Sequence, residues 1–286
     1  MRPDPDAPPA PPEGGTPLRV PSDLPFHLAL AVLGGSYLVL LVAMLVADLA
    51  YTSPSHLLRA LRSPEIRYAV RLSLLSCTLT TLLSLWVAVP IGYVMARIRF
   101  PGQGLVDALL DVPIVLPPLV IGLSLLILFQ TPVGRAIERV VPVTYAIPSV
   151  ILAQFMVACA FAVRTLRGTF EQMSPRPEQV ARTLGCSRAQ AFWWIVLPEA
   201  RRGLVTAGTL AWARSLGEFG PILVFSGATR MKTEVLPTTV FLELSVGNLE
   251  AAVAVSLLMI VAAVVVLVVI RRFGAGVEAA SPTHRR

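Results

Sequence analysis

The sequence predicts an all-α polytopic membrane protein with six transmembrane helices and a cytoplasmic helix-glycine-helix loop. Three observations carry that prediction. The 286 residues are 55% hydrophobic and only 14% charged, with a mean hydropathy of +0.72, well above a soluble domain of average composition. Six stretches are apolar over a length that can cross a hydrocarbon core, which takes roughly 20 residues of helix. The basic residues are almost all arginine and flank those stretches, so the net charge of +7 reflects membrane topology and not a nucleic-acid surface.

Residues 1–25 carry the run PDPDAPPAPPEGG, which cannot bury enough apolar surface to order itself and reads as a disordered cytoplasmic tail. Its acidic, proline-rich start is unlike a secretory signal peptide. Residues 26–272 form the transmembrane domain. The first span is Phe26 to Ala47, followed by a loop, Asp48 to Arg67, with Pro54 and Pro64 at short turns. The second span, Tyr68 to Ala96, holds Ser73, Ser76, Thr78, Thr80, Thr81 and Ser84. Such hydroxyls bond their own helix or a neighbour, so this helix is expected to pack against protein.

A third span begins near Leu109 with DVPIVLPPLVIGLSLLILF. Pro113, Pro117 and Pro118 each delete a helical N–H, so the span is expected to break. In a bilayer a break is tolerated only where protein or a water-filled cavity satisfies the freed carbonyls, which makes this span a candidate cavity lining. An outer loop, Pro132 to Pro142, leads to a fourth span, Tyr145 to Val163, closed by Arg164 and Arg167. The fifth, Glu199 to Gly227, is interrupted by Gly217, Gly220 and Pro221 and carries Arg214 and Glu218. Their i,i+4 spacing puts these two charges on one helix face. Each costs about 2.5–3.5 kcal/mol in hydrocarbon, so they are expected to face protein or each other. The sixth span, Leu249 to Ile270, is dominated by aliphatic residues, is expected to pack toward lipid, and ends at Arg271 and Arg272; residues 273–286 form a short cytoplasmic tail. With both termini inside, fifteen basic residues fall on the cytoplasmic side and seven outside, which favours this orientation in the cytoplasmic membrane.

The polar, well-punctuated exception is Glu178 to Pro198, EQVARTLGCSRAQAFWWIVLP, within a loop at about 174–198. Val180, Ala181 and Leu184 fall on one face of a short helix, and Gly185 can end it in a left-handed conformation. Ser187 and Gln190 have capping-box spacing, which starts a second helix, Arg188 to Leu197, in a new direction. The product is a rigid elbow. Chemistry on the chain itself is sparse. The nearest approach to a P-loop, Gly227 to Thr233, has Met231 where the second glycine belongs. His27, His56 and His284 avoid the deep parts of the spans, and Cys77, Cys159 and Cys186 are isolated, so neither a metal site nor a disulfide framework is indicated. Energy must come from a partner.

Gly185, nine residues, Ile195, one residue, Leu197 and Pro198 give the spacing G-x9-I-x-L-P. On it, the elbow resembles the cytoplasmic coupling loop of ABC importer permeases. Gln179, Val180 and Ala181 stand where that family's motif opens with an acidic residue and two alanines, and Glu178 is displaced by one position. Further stretches are similar to the permeases for molybdate, tungstate and sulfate. These are FAVRTLRGTFEQM (Phe161 to Met173), ARSLGEFG (Ala213 to Gly220) with FSG (Phe225 to Gly227), and PIVLPPLVIGLSLL (Pro113 to Leu126). With Leu236-Pro237 and NLEAA (Asn248 to Ala252), the likeness covers about 66–271.

The resemblance implies a homodimer that works with a cytoplasmic ABC ATPase holding ATP and Mg, and with an extracytoplasmic binding protein; no cofactor is implied on this chain. It implies an ATPase contact at Glu178, Gln179, Val180, Ala181, Leu184, Gly185, Ile195, Leu197 and Pro198. The translocation path is expected along Pro113, Pro117, Pro118, Ser124, Arg214, Ser215, Glu218, Gly220 and Pro221. Importers of polyamine, thiamine or iron would share the elbow and differ in cargo. A membrane scaffold that docks a cytoplasmic partner would share it too, but would gain nothing from broken spans.

Overall fold

The computed structural model describes residues 23–279, and among them every regular element is helical. The expected N-terminal tail up to residue 22, and residues 280–286 of the expected C-terminal tail, lie outside the described residues. By its contacts the chain divides into two units, 1–47 and 48–286. The first holds most of α1, Leu24–Tyr51. This helix is the expected first span, and its 26 residues from Phe26 rise about 39 Å.

In the second unit, prolines start helices where the sequence suggested turns. Pro54 opens α2, Pro54–Arg62, and Pro64 opens α3, Pro64–Arg97. The missing N–H is one that a first helical turn leaves unpaired anyway, and the fixed φ suits the helix. Ser63 completes the second start by accepting from the Ile66 N–H at 3.4 Å. Four of the six predicted hydroxyls of α3, on Ser73, Ser76, Thr80 and Ser84, are buried. They form a small-residue face with Ala69, Cys77 and Ala88, which lets α3 pack closely on α7, Ile147–Gln172.

The expected break in the third span is a sharp one. α4, Gln103–Val115, and α5, Pro118–Gln130, meet at 111°. Pro117 and Pro118 make the corner, with Pro118 at the first position of α5. Pro113, expected to help break the span, sits inside α4 near its end. There the N–H it lacks would have reached only one carbonyl a turn back. The expected outer loop, Pro132 to Pro142, contains one short helix, α6, Pro132–Glu138.

α8, Arg176–Thr183, and α9, Arg188–Ala191, are the arms of the elbow. The second arm departs from the expected helix, because Phe192–Val196 forms a π turn before α10, Leu197–Glu199, continues the chain. Pro198, which brings no N–H, lies two residues past that turn. The expected fifth span is not one helix. α11, Arg201–Leu216, has 16 residues and rises about 24 Å, and α12, Gly220–Phe225, is a separate short piece. Pro221 cannot continue α11, since it has no N–H and its ring would strike the carbonyl a turn earlier.

α13, Leu236–Ser245, packs on α14, Leu249–Ala279. α14 passes the expected end at Arg272 by seven residues, and its start buries Ala252, Ala254 and Val255 while Val261, Val264, Val265 and Val268 further on are exposed. Only its later part therefore matches the expected lipid-facing character. Among the described residues α1, α3, α7 and α14 are long and apolar enough to cross a membrane, and the α4–α5 pair is a fifth candidate.

Candidate translocation and coupling sites

The elbow is rigid for identifiable reasons. Gly185 has φ +94°, the Cys186 N–H bonds the Ala181 carbonyl at 3.1 Å, and the Gly185 N–H bonds the Arg182 carbonyl at 3.2 Å. This is a Schellman cap, and its left-handed residue is strained for any side chain with a Cβ. Two residues on, the Ser187 hydroxyl accepts from the Gln190 N–H at 3.2 Å, and Gln190 Oε1 accepts from the Ser187 N–H at 2.8 Å. The predicted capping box is therefore present, and the chain turns from α8 to α9 with few torsions left free.

The expected docking face is only partly free. Val180 and Leu184 are 56% and 80% exposed, but Ala181 is buried at 6% against its own chain. Its place on the inner side of α8 follows from the one-residue step, about 100° around the helix, that separates it from Val180. Gln179, Gly185 and Pro198 are exposed, and Ile195 and Leu197 are half-buried. The residue between them, Val196, is the buried anchor, packed with Phe170, Ala200 and Val163.

Tyr93 on α3 holds the elbow to the helical body. Its ring meets Phe170 and Phe192 edge-on, at centroid distances of 5.8 and 4.9 Å. Its hydroxyl donates to Glu178 Oε1 at 2.6 Å. Arg97, one turn further along α3, donates from Nη2 to the Met173 carbonyl at 3.0 Å. The pairing of Tyr93 with Glu178 is not legible in the sequence, because local spacing carries no sign of a contact across 85 residues. What could have pointed to Tyr93 is a phenol in the apolar last turns of the span, since a hydroxyl drawn into protein needs a partner.

The predicted path residues divide into two groups. The α4–α5 corner and the α11–α12 break meet: a Cβ on Gly220 would lie 2.9 Å from Pro118 Cβ and 3.0 Å from the Leu119 nitrogen. One turn on, a Cβ on Gly122 would lie 2.7 Å from Pro221 Cα. Pro117 and Pro118 remain exposed on one flank of this crossing, as does Ser124 on α5. Gly220 and Pro221 are buried within it. Two interrupted helices thus place irregular backbone side by side, the kind of backbone that a membrane tolerates only inside protein or beside water.

Arg214 and Glu218 face each other, with Nη1 2.7 Å from Oε2, close enough for an ion pair though too poorly angled for a hydrogen bond. Glu218 is 1% exposed, and Arg214 also lies 5.9 Å from the centre of the Phe161 ring. Ser215, expected on the path, turns inward. Its hydroxyl donates to the Ala211 carbonyl at 2.8 Å, and its carbonyl accepts from Gln154 Nε2 at 3.2 Å. Gln154 in turn accepts from the Thr80 hydroxyl, so this polar chain ties α11, α7 and α3 together. Ser215 is a packing residue because it follows Arg214 by one position, on another face of the helix.

At the elbow end of α7, Arg164 pairs with Asp111, and Arg167 pairs with both Asp107 and Glu171. These residues line a cavity of about 320 Å³ between α4 and α7. In the sequence the two arginines mark only the end of the fourth span. Nothing local showed that two carboxylates of the broken span would come to meet them.

An all-helical membrane domain with a broken, proline-bearing span and a glycine-cornered elbow is the architecture of an importer's membrane subunit. The fold matches a chain of a bacterial alginate ABC transporter in complex with an alginate-bound periplasmic protein. The TM-score is 0.73 at 15% identity, over 89% of this chain and 95% of that one. Residues 88–278 match the model of the binding-protein-dependent transport system inner membrane component family, and the chain belongs to that family. Among curated relatives, it is 33% identical to the sulfate transport system permease protein CysT of Escherichia coli K12, over 80% of this chain and 84% of that protein. It is 35% identical to the molybdenum transport system permease protein ModB of Mycobacterium tuberculosis, over 87% and 95%. It is 36% identical to the molybdate/tungstate permease protein WtpB of Thermococcus kodakarensis, over 66% and 74%.

Proposed function

We propose that this chain is the permease subunit of an ATP-driven importer for a tetrahedral oxyanion such as molybdate, tungstate or sulfate. The observation that carries this reading is the crossing of the two helix breaks, where Pro118 meets Gly220 and Gly122 meets Pro221. The relatives named for sulfate, molybdate and tungstate support the cargo. Unwound backbone at such a crossing offers N–H groups to an oxyanion and can change shape without breaking a helix ladder.

In this reading the chain crosses the cytoplasmic membrane six times, with the α11–α12 segment as the divided crossing, and both termini and the elbow lie in the cytoplasm. Two copies related by a twofold axis bring two such crossings around one pore. A cytoplasmic ATPase binds ATP and Mg and receives Val180 and Leu184. An extracytoplasmic binding protein delivers the anion. The chain itself catalyses nothing.

The test is reconstitution of the permease in vesicles with an ABC ATPase subunit and an oxyanion-binding protein from the same organism, followed by uptake of radiolabelled molybdate and sulfate. ATP-dependent uptake, competed by the other oxyanion and not by a polyamine, is the expected result. Uptake of a polyamine, thiamine or iron in place of oxyanion would overturn the cargo assignment. Oxyanion flux that needs no ATP would overturn the coupling.

A further inference from the structure

The elbow does not lie flat on the body of the protein. Between it and the last turns of α3 is a cleft of about 410 Å³. Three guanidinium groups line it, from Arg97, Arg182 and Arg188, against one carboxylate, Glu178, which already accepts from Tyr93. Arg182 and Arg188 are exposed and have no carboxylate at ion-pair distance among the described residues. Arg97 spends Nη2 on the Met173 carbonyl, while its Nε is buried without an acceptor. The cleft therefore carries an excess of positive charge and free donors in the fork geometry that suits a phosphate.

Its other wall is apolar, made by Pro90, Val94, Ile98 and Trp193. From Arg97 back to Pro90 is seven residues of α3, about 10 Å along the helix and into the membrane-crossing part of the chain. A soluble inorganic anion has no use for such a wall, whereas an acyl chain does. Trp193 and its neighbour Trp194 are both largely exposed beside the cleft, and exposed tryptophans of this kind settle at the headgroup level of a bilayer. Cations at the rim, indole at the interface and an apolar groove running inward match one ligand chemistry: a phosphate diester with acyl chains attached.

We propose that this cleft binds the headgroup phosphate of an anionic phospholipid, wedged between the elbow and α3. It rests on the reading that the elbow lies at the membrane surface. Because lipid binding is measured without transport, its failure would leave the cargo and ATPase assignments untouched.

The experiment is native mass spectrometry of the purified permease in mild detergent, titrated with phosphatidylglycerol, with phosphatidylcholine, or with inorganic phosphate. Phosphatidylglycerol should bind at least about tenfold better than phosphatidylcholine. Arg182→Gln with Arg188→Gln should remove roughly tenfold or more of that preference, as expected for the loss of charge-assisted hydrogen bonds. Arg139→Gln with Lys232→Gln, which removes the same charge at the other end of the helices, should leave the preference intact. Equal retention of the two lipids, or equal loss in both variant pairs, overturns the site. Inorganic phosphate displacing the lipid at similar concentration would show a soluble-anion site and overturn the lipid assignment. A photoactivatable phosphatidylglycerol on the wild-type protein gives a readout that needs no variant to fold. Label should appear on α3 near Val94 or on residues 176–198, and label found only elsewhere overturns the proposal.

Discussion

At the scale of single residues, Arg214 and Glu218 give the sharpest test. The i,i+4 spacing is legible in the sequence, and so is the cost of leaving either charge in hydrocarbon. The near-complete burial of Glu218 is not legible, because it depends on how α11 leans on its neighbours. With Glu218 1% exposed and Arg214 its ion-pair partner, removing either alone strands a charge at about 3–5 kcal/mol, whereas removing both is often close to neutral. Arg214→Leu and Glu218→Leu should each lower the amount of protein in the membrane, and the double variant should restore it. If the restored double variant also transports oxyanion, the pair is structural. A stable double variant that no longer transports places Arg214 on the path. Tyr93 shows the same limit of local reading, since its partner Glu178 lies on another element. Tyr93→Phe keeps both ring contacts and loses only the hydrogen bond to a carboxylate, worth about 1.5–3 kcal/mol. ATP hydrolysis by the assembled transporter should then respond less to loaded binding protein while the permease still inserts. An unchanged response would mean that the elbow is held without this bond.

At the scale of elements, the sequence shows each break but not their meeting. Pro117, Pro118 and Pro221 mark where a helix is interrupted, because the missing N–H and the proline ring act locally, and Gly217 caps the end of α11. That the α4–α5 corner packs on α12 is a tertiary fact, and the trace it leaves in the sequence is a glycine at each close approach. The π turn at Phe192–Val196 leaves still less, since its residues would also suit an α-helix. Gly122 makes the crossing testable. A Cβ there would lie 2.7 Å from Pro221 Cα and 2.9 Å from its carbonyl oxygen, contacts with backbone that cannot rotate away. Gly122→Ala should therefore cost about 1–3 kcal/mol through overpacking and slow uptake. Gly104→Ala, also helical but with nothing within 4 Å of the new methyl, should be neutral or stabilising by up to about 1 kcal/mol through helix propensity. Thermal unfolding in detergent compares them directly. Equal stability of the two variants would show that α5 and α12 do not touch as described.

At the scale of the whole molecule, composition and the placement of arginines were enough to read a multi-pass membrane protein, because the bilayer imposes length and apolarity on every crossing. The number of crossings is less legible: among the described residues four helices and one bent pair are long and apolar enough to cross a membrane, and α11, with 16 residues, is not one of them. Orientation is the property on which coupling depends, and the helices define its test. α7 has 26 residues and rises about 39 Å, with Val140 before its start and the elbow after its end. Leu184 and Val140 are 80% and 82% exposed, so a cysteine at either place should react freely with a membrane-impermeant maleimide. In a background with Cys77, Cys159 and Cys186 replaced by serine or alanine, Val140→Cys should label in intact cells, and Leu184→Cys only after the membrane is inverted or opened. In the assembled transporter, Leu184→Cys should also be shielded by the ATPase, with labelling restored when that subunit is stripped away. Labelling of both positions from the same side would contradict a spanning α7. Labelling of Leu184→Cys in intact cells would place the elbow outside, where no ATPase could reach it, and the whole assignment of coupling would fall with it.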